Sequence, residues 1–236
     1  MAKLAPSTDA HLGNPGGWQA VGYDFRHTSI EGFANFHEFQ VGGVVLAPTV
    51  GALQTVPGDV DKPGSGYRSN FDKKDEVADP GYYSVLLKDY GVKAELTATK
   101  RVGFHRYTYP ESKQSNLIFD IGNKQGESGE VTDAWVRYTP DGRIEGYVVT
   151  SPVYVNIYQK GASVRMYFSA VVDKKPEQVG TFIKNKVTVG QTEVKGPGAG
   201  LYLTFPTHKD EAVEVKIGLS YTCLLYTSPS PRDGLL

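Results

Sequence analysis

The sequence is poor in several of the features that would tie it to common protein classes. Its one cysteine, Cys223, rules out a disulfide framework, and a domain of this size can bury a core without one, so cysteine usage fixes no redox compartment. Charge of one sign is not in excess: 25 Lys and Arg stand against 26 Asp and Glu. That balance leaves no footprint for nucleic acid or for an anionic membrane surface, and suits a neutral partner such as a sugar. No uninterrupted apolar run approaches the ~18 residues of a membrane-spanning helix, and the chain reads as soluble. Nor does any segment carry an apolar stripe of helix length, a heptad or a fixed-period repeat, which excludes bundles, coiled coils and solenoids.

The surroundings of Cys223 explain its isolation. Residues 223–233, CLLYTSPSPRD, resemble the translation of a transposase adapter used in sequencing libraries. The expectation is therefore a native domain over residues 1–222, with residues 223–236 set aside as foreign to the fold.

What is present is β structure, with 11% aromatic residues and 27 glycines. Residues 80–110, PGYYSVLLKDYGVKAELTATKRVGFHRYTYP, divide into alternating runs over 82–87, 92–99 and 102–109, with Val92, Ala94, Leu96 and Ala98 on one face. Lys88-Asp89-Tyr90-Gly91 supplies a turn, since glycine accepts positive φ and aspartate can hydrogen-bond the local backbone. Downstream, Thr139-Pro140-Asp141-Gly142 predicts a type I turn joining strands over 131–138 and 143–150. Alternation returns over 164–172, 201–205 and 213–219, with His208-Lys209-Asp210-Glu211 as a polar turn between the last two. Residues 116–120 read as a short buried strand and 41–48 as an apolar one. Residues 54–79, polar and broken by prolines and glycines, read as a surface excursion with at most short strands. The aromatic-rich stretches 23–25 and 30–39 read together as a pocket wall and not a core layer. Alternation gives each sheet one apolar face to bury, so the predicted fold is all-β, a large antiparallel β-sandwich of about a dozen strands, with a closed barrel as the alternative.

Candidate chemistry is sparse. General acid–base catalysis by paired carboxylates needs two acidic groups at a set separation, and the scattered Asp and Glu nominate no pair. Asp59-Val60-Asp61 lacks the third ligand and the later glutamate of a calcium loop and reads as a turn, so no metal ligand is assigned. Trp18 either covers a sheet end or stacks on the apolar face of a pyranose. His105, alternating with Phe104 and Arg106 in a central strand, reads as a structural histidine that one side of the strand must satisfy.

The order PGYYSV, VKAELTAT and RVGFHRYTYP resembles the N-terminal domain of glycoside hydrolase family 92, the calcium-dependent exo-acting α-mannosidases. Fainter likenesses in GYDFRHTSIEGF upstream, and in LIFDIGN and GYV downstream, extend it over most of the chain. The start at Met1 is similar to a point inside that family's first strand, so the natural chain is expected to extend upstream. The resemblance implies a non-catalytic sandwich that packs on a C-terminal (α/α)6 barrel outside this sequence. That barrel would carry the general acid, the base and most Ca2+ ligands, in a secreted or periplasmic enzyme that removes mannose from a glycan with inversion. It implies that Trp18 reaches the leaving-sugar subsite. It also puts His37 in the place of the second histidine of a Gly-Phe-Ser-His-Thr-His segment. Asn35 stands where the family has the first histidine, and Glu38-Phe39-Gln40 where it has Leu-Ser-Gly. A stand-alone carbohydrate-binding module with Trp18 as its platform is the rival reading.

Overall fold

A computed structural model describes residues 2–8, 22–36, 42–60, 62, 64–123, 129–224 and 227. In chain order its first strands are β1 (Ala5–Ser7), β2 (Ser29–Ile30), β3 (Gly32–Ala34), β4 (Val45–Val50), β5 (Ser69–Asn70) and β6 (Val77–Asp79). The meander read from residues 80–110 follows as β7 (Tyr82–Leu87), β8 (Val92–Ala98) and β9 (Val102–Tyr109). Then come β10 (Ser112–Asp120), β11 (Val131–Tyr138), β12 (Arg143–Thr150) and a short helix α1 (Val153–Tyr158). The chain closes with β13 (Val164–Val172), β14 (Gln178–Ile183), β15 (Lys186–Val189), β16 (Glu193–Lys195), β17 (Ala199–Thr207) and β18 (Glu211–Ser220).

These strands form a seven-stranded sheet, β1-β3-β4-β10-β17-β14-β15, a nine-stranded sheet, β16-β11-β12-β13-β18-β9-β8-β7-β6, and a small β2-β5 pair. Every pairing is antiparallel, and the two large sheets make the predicted sandwich. The number of strands exceeds a dozen because several have only two or three residues, too few for alternation to register.

One core joins the sheets. Phe33, Leu46, Leu117, Phe119, Leu201, Leu203 and Phe205 from the first meet Val85, Ala94, Tyr107, Tyr109, Val136, Phe168 and Val215 from the second. Tyr109 and Phe205 cross edge to face, ring centroids 5.7 Å apart, and the Tyr109 hydroxyl donates across the sandwich to the Asn116 carbonyl at 3.0 Å. Ala98, expected on the buried face of β8, is exposed where the strand runs out. The turns expected at 88–91, 139–142 and 208–211 join consecutive strands, with Gly91, Gly142 and Asp210 at positive φ. Gly142 N–H closes its turn on the Thr139 carbonyl at 2.9 Å.

Two expectations need correction. Ile30, Phe33 and Phe36 are buried members of the core and not a pocket wall. The excursion over 54–79 does have only short strands, but it is no mere surface loop. Tyr67, with Leu53 beside it, packs on Ala47, Ile118, Phe182 and Tyr202 and covers the second face of the seven-stranded sheet. That cover explains why β10 is buried without interruption from Ser115 to Asp120, as a strand apolar on both faces should be. The expectation for residues 223–236 falls mostly outside the described residues. Within them, Thr227 is buried, its carbonyl lying where a side chain on Gly218 would have to go.

Candidate functional site

The two residues expected to bind sugar, Trp18 and His37, both lie outside the described residues. Residues that flank them in sequence form a continuous polar edge where β1, the 22–28 turn and the β2-β5 pair meet. Its anchor is an ion pair out of water. Arg68 Nη2 lies 3.2 Å from Glu31 Oε2, with side chains 3% and 5% exposed. Arg68 Nη1 also donates to the carbonyl oxygens of Thr8 and Ser29, both at 3.4 Å. The Ser7 hydroxyl donates to the other Glu31 oxygen at 2.5 Å. A charge is tolerated in such a place only when paired and further hydrogen-bonded, and this one is held from β1, β2 and β5 at once.

Outward from the anchor, Thr8 organises the turn. Its hydroxyl accepts from the Asp24 amide at 2.7 Å, and its carbonyl stands 2.8 Å from His27 Nδ1. A carbonyl can only accept, so His27 carries its proton on Nδ1 and leaves Nε2 as the ring's acceptor. Arg26 Nε donates to both Asp24 carboxylate oxygens, at 2.9 and 3.1 Å, and these bonds hold the Asp24 carboxyl well below the usual carboxylate range. Beside it the Lys73 ammonium sits 4.6, 4.8 and 4.4 Å from the ring centres of Tyr23, Phe25 and Phe71. Phe25 itself is 74% exposed. Sequence reasoning missed this edge because its partners come from separate stretches of chain, and no spacing announces them.

Behind the edge runs a buried polar relay. Asn35 Nδ2 donates to the carbonyls of Phe33 and Val44, at 3.1 and 3.0 Å, which leaves Oδ1 to accept from His105 Nε2 at 2.7 Å. His105 Nδ1 then accepts from the Tyr107 hydroxyl at 2.8 Å. Every polar atom of the imidazole is satisfied in its neutral form, and burial pushes the group down to about 3. His105 is thus the structural histidine expected of it. Asn35, which the sequence marks only as a departure from the family pattern, is its partner.

Two of the buried carboxylates, Asp120 and Glu31, are engaged within the fold. Asp120 accepts from the Tyr67 hydroxyl at 2.6 Å, from the amides of Gly122 and Asn123 at 3.2 and 3.1 Å, and from the Asn123 side chain. Both Glu31 oxygens are taken by Ser7 and Arg68. Among the described residues, no group of three or more His, Cys, Asp or Glu side chains could hold a metal ion. Asp59 sits in a turn as expected, its backbone N–H donating to the Ser65 hydroxyl at 2.9 Å. No helix of the described residues is long and apolar enough to cross a membrane.

The model of the glycosyl hydrolase family 92 N-terminal domain matches residues 1–220. Among solved structures, the family GH92 α-mannosidase BT3965 from Bacteroides thetaiotaomicron is 28% identical and superposes with a TM-score of 0.83. That match covers 94% of this chain and 30% of the mannosidase. The inverting mannosidase BT2199 from Bacteroides thetaiotaomicron VPI-5482, at 18% identity and TM-score 0.71 over 94% of this chain and 27% of its own, shares the fold. So does the family GH92 glycosyl hydrolase ccman5, at 24% identity and TM-score 0.70, over 93% of this chain and 29% of its own. No curated protein sequence matches. The chain spans about 30% of the length of the solved mannosidases it resembles. With a family match over nearly all of the sandwich and the matching arrangement of strands, the chain belongs to glycosyl hydrolase family 92, as its N-terminal domain.

Proposed function

We propose that this chain is the non-catalytic β-sandwich of an enzyme that removes α-linked mannose from a glycan with inversion. In this reading the sandwich lends one wall of the substrate pocket and packs on an (α/α)6 barrel that supplies the acid, the base and the calcium site. The observation that carries it is the match of nearly the whole chain to under a third of a solved α-mannosidase. The carboxylate arrangement supports it, because Glu31 and Asp120 are locked as acceptors. So does α1, which leaves Val153 and Ile157 50% and 71% exposed, an apolar patch suited to a partner surface. Calcium belongs to the reading for the whole enzyme, but no step is assigned to it through this chain. A secreted or periplasmic location goes with a glycan substrate.

The expected result is that the chain alone releases no mannose from an aryl α-mannoside or an α-mannobioside, with or without calcium. Mannose release above a blank, abolished by a chelator, would overturn the division of labour. Trp18 is the proposed stacking residue for the leaving sugar, near His37. In the enzyme restored by joining this chain to a family barrel, Trp18→Ala should slow hydrolysis of the mannobioside about tenfold more than that of the activated aryl mannoside, whose leaving group needs less help from stacking. Equal losses on both substrates would return Trp18 to a purely structural role.

A further inference from the structure

The outer face of the nine-stranded sheet carries an arrangement that the pocket reading does not use. Solvated faces of antiparallel sheets ordinarily carry polar residues. Here one register row crosses five strands as Lys195, Trp135, Tyr147, Tyr167 and Ser220. Its aromatic rings are half-buried neighbours, with centroids 5.8 Å apart for Trp135 and Tyr147 and 6.1 Å for Tyr147 and Tyr167. Their polar tips are fixed. Trp135 Nε1 donates to Glu193 at 2.7 Å, and the Tyr147 hydroxyl donates to Asp133 at 2.9 Å. A guanidinium lies over one face of two of the rings, Arg137 at 5.2 Å from the centre of Trp135 and Arg165 at 4.9 Å from that of Tyr147, which leaves a sugar the opposite faces and the ring of Tyr167. Arg137 and Glu193 continue into a groove of about 640 Å3 that Asp141, Arg143 and Thr192 also line.

We infer that this row is a second saccharide-binding face, which takes a neutral glycan chain along the Trp135, Tyr147 and Tyr167 rings. A pyranose has an apolar C–H face and a rim of hydroxyls. The row offers the complement, flat rings held rigid and a border of donors and acceptors already oriented. Charge selects the class of partner. Arg137, Arg165 and Lys195 are answered by Asp133, Glu145 and Glu193, with Arg137 3.0 Å from Glu145 and Lys195 3.9 Å from Asp133. A face so balanced neither attracts nor repels a polyanion, whereas nucleic acid or anionic lipid calls for a surplus of cations. The inference does not depend on the pocket reading, since no residue of the Thr8, Glu31 and Arg68 edge enters it.

The test is affinity electrophoresis of this chain through gels that contain α-mannan or a soluble neutral β-glucan. Retardation by at least one of them is expected, weakened about tenfold or more in Trp135→Ala and in Tyr147→Ala. In case those variants fold poorly, Trp18→Phe leaves Trp135 as the one tryptophan of the two in the chain. Its emission should then change on titration with the retarding glycan. Absence of both retardation and emission change overturns the inference. So does retardation lost in Trp18→Phe but kept in Trp135→Ala, which would put binding at the pocket. Retention on heparin in place of the neutral gels, or self-association abolished by Trp135→Ala, would assign the face to a polyanion or to a second copy and equally overturn it. Loss of iodide quenching of Trp135 once the chain is joined to the remainder of a family enzyme would show that the row is an internal contact, and would overturn the inference as well.

Discussion

Glu31→Gln is expected to destabilise the domain by about 3–5 kcal/mol, because it removes the carboxylate paired with the Arg68 guanidinium in a site from which water is excluded. The opposite single change, Arg68→Met, should cost a similar amount by removing the guanidinium paired with Glu31. The two together should cost far less than the sum of the singles, since the double variant buries no net charge. Urea unfolding followed by fluorescence measures all three, and for a domain of this length each single change corresponds to a melting temperature lower by roughly 10 °C. Additive losses, or singles under about 1 kcal/mol, would mean that the pair is solvated and anchors nothing. The consequence reaches the candidate site, because Arg68 also holds the Thr8 carbonyl. Thr8 in turn fixes Asp24 and His27. Loosening the pair should therefore disorder the polar edge before the rest of the sandwich unfolds.

Stability should also fall on acidification, earlier than the carboxylates alone would require. His105 is pushed from 6.5 down to about 3 by burial. Below pH 6.5 the unfolded chain therefore binds a proton that the folded chain refuses, and the stability present above that pH is lost as pH falls toward 3. The loss is about 2 kcal/mol by pH 5 and roughly 4 kcal/mol across the whole window. His105→Gln, which can still hydrogen-bond Asn35 or Tyr107, should give a flatter profile between pH 7 and 4. Parallel profiles for the two proteins would show that the imidazole gains no charge on unfolding. Exposed carboxylates held low by their neighbours, Asp72 by Lys88 and Asp141 by Thr139 and Arg143, act in the same direction but at lower pH.

Much of this architecture was legible in the sequence, and what escaped did so for identifiable reasons. The nine-stranded sheet keeps one face toward solvent along β8, so Val92, Ala94 and Leu96 alternate with the more exposed Lys93, Glu95 and Thr97. The seven-stranded sheet is covered on one face by the nine-stranded sheet and on the other by Tyr67 and its neighbours. β10 loses that rhythm, β17 keeps it in Leu201, Leu203 and Phe205, and the short, exposed β15 has no buried face to announce it. Strands β2 and β3 are too short to show any period, which left the buried Ile30, Phe33 and Phe36 looking like a pocket wall. In the site, His105 could be recognised as needing a partner, but Asn35 lies 70 residues away in sequence. Glu31 and Arg68 are 37 apart. Such pairings depend on strand order, which local pattern does not contain. Trp135 was visible only as one position in a predicted hairpin. Its meaning arises when β12 and β13 bring Tyr147 and Tyr167 into the same row.

The place of the last two strands bears on how the domain is made. β18 lies between β13 and β9, so the nine-stranded sheet consists of two blocks with no other strand between them. β17 likewise joins β14 and β15 to β10. A ribosome delivers these two strands after all the others. Until it does, each half-sheet carries a bare edge, β9 on one side and β13 on the other, with backbone donors and acceptors open to any passing strand. Arg106 waits 108 residues for Glu214. The nascent chain is consequently most vulnerable to aggregation just before its C-terminal pair emerges, and it gains its cooperative stability in a single late closure.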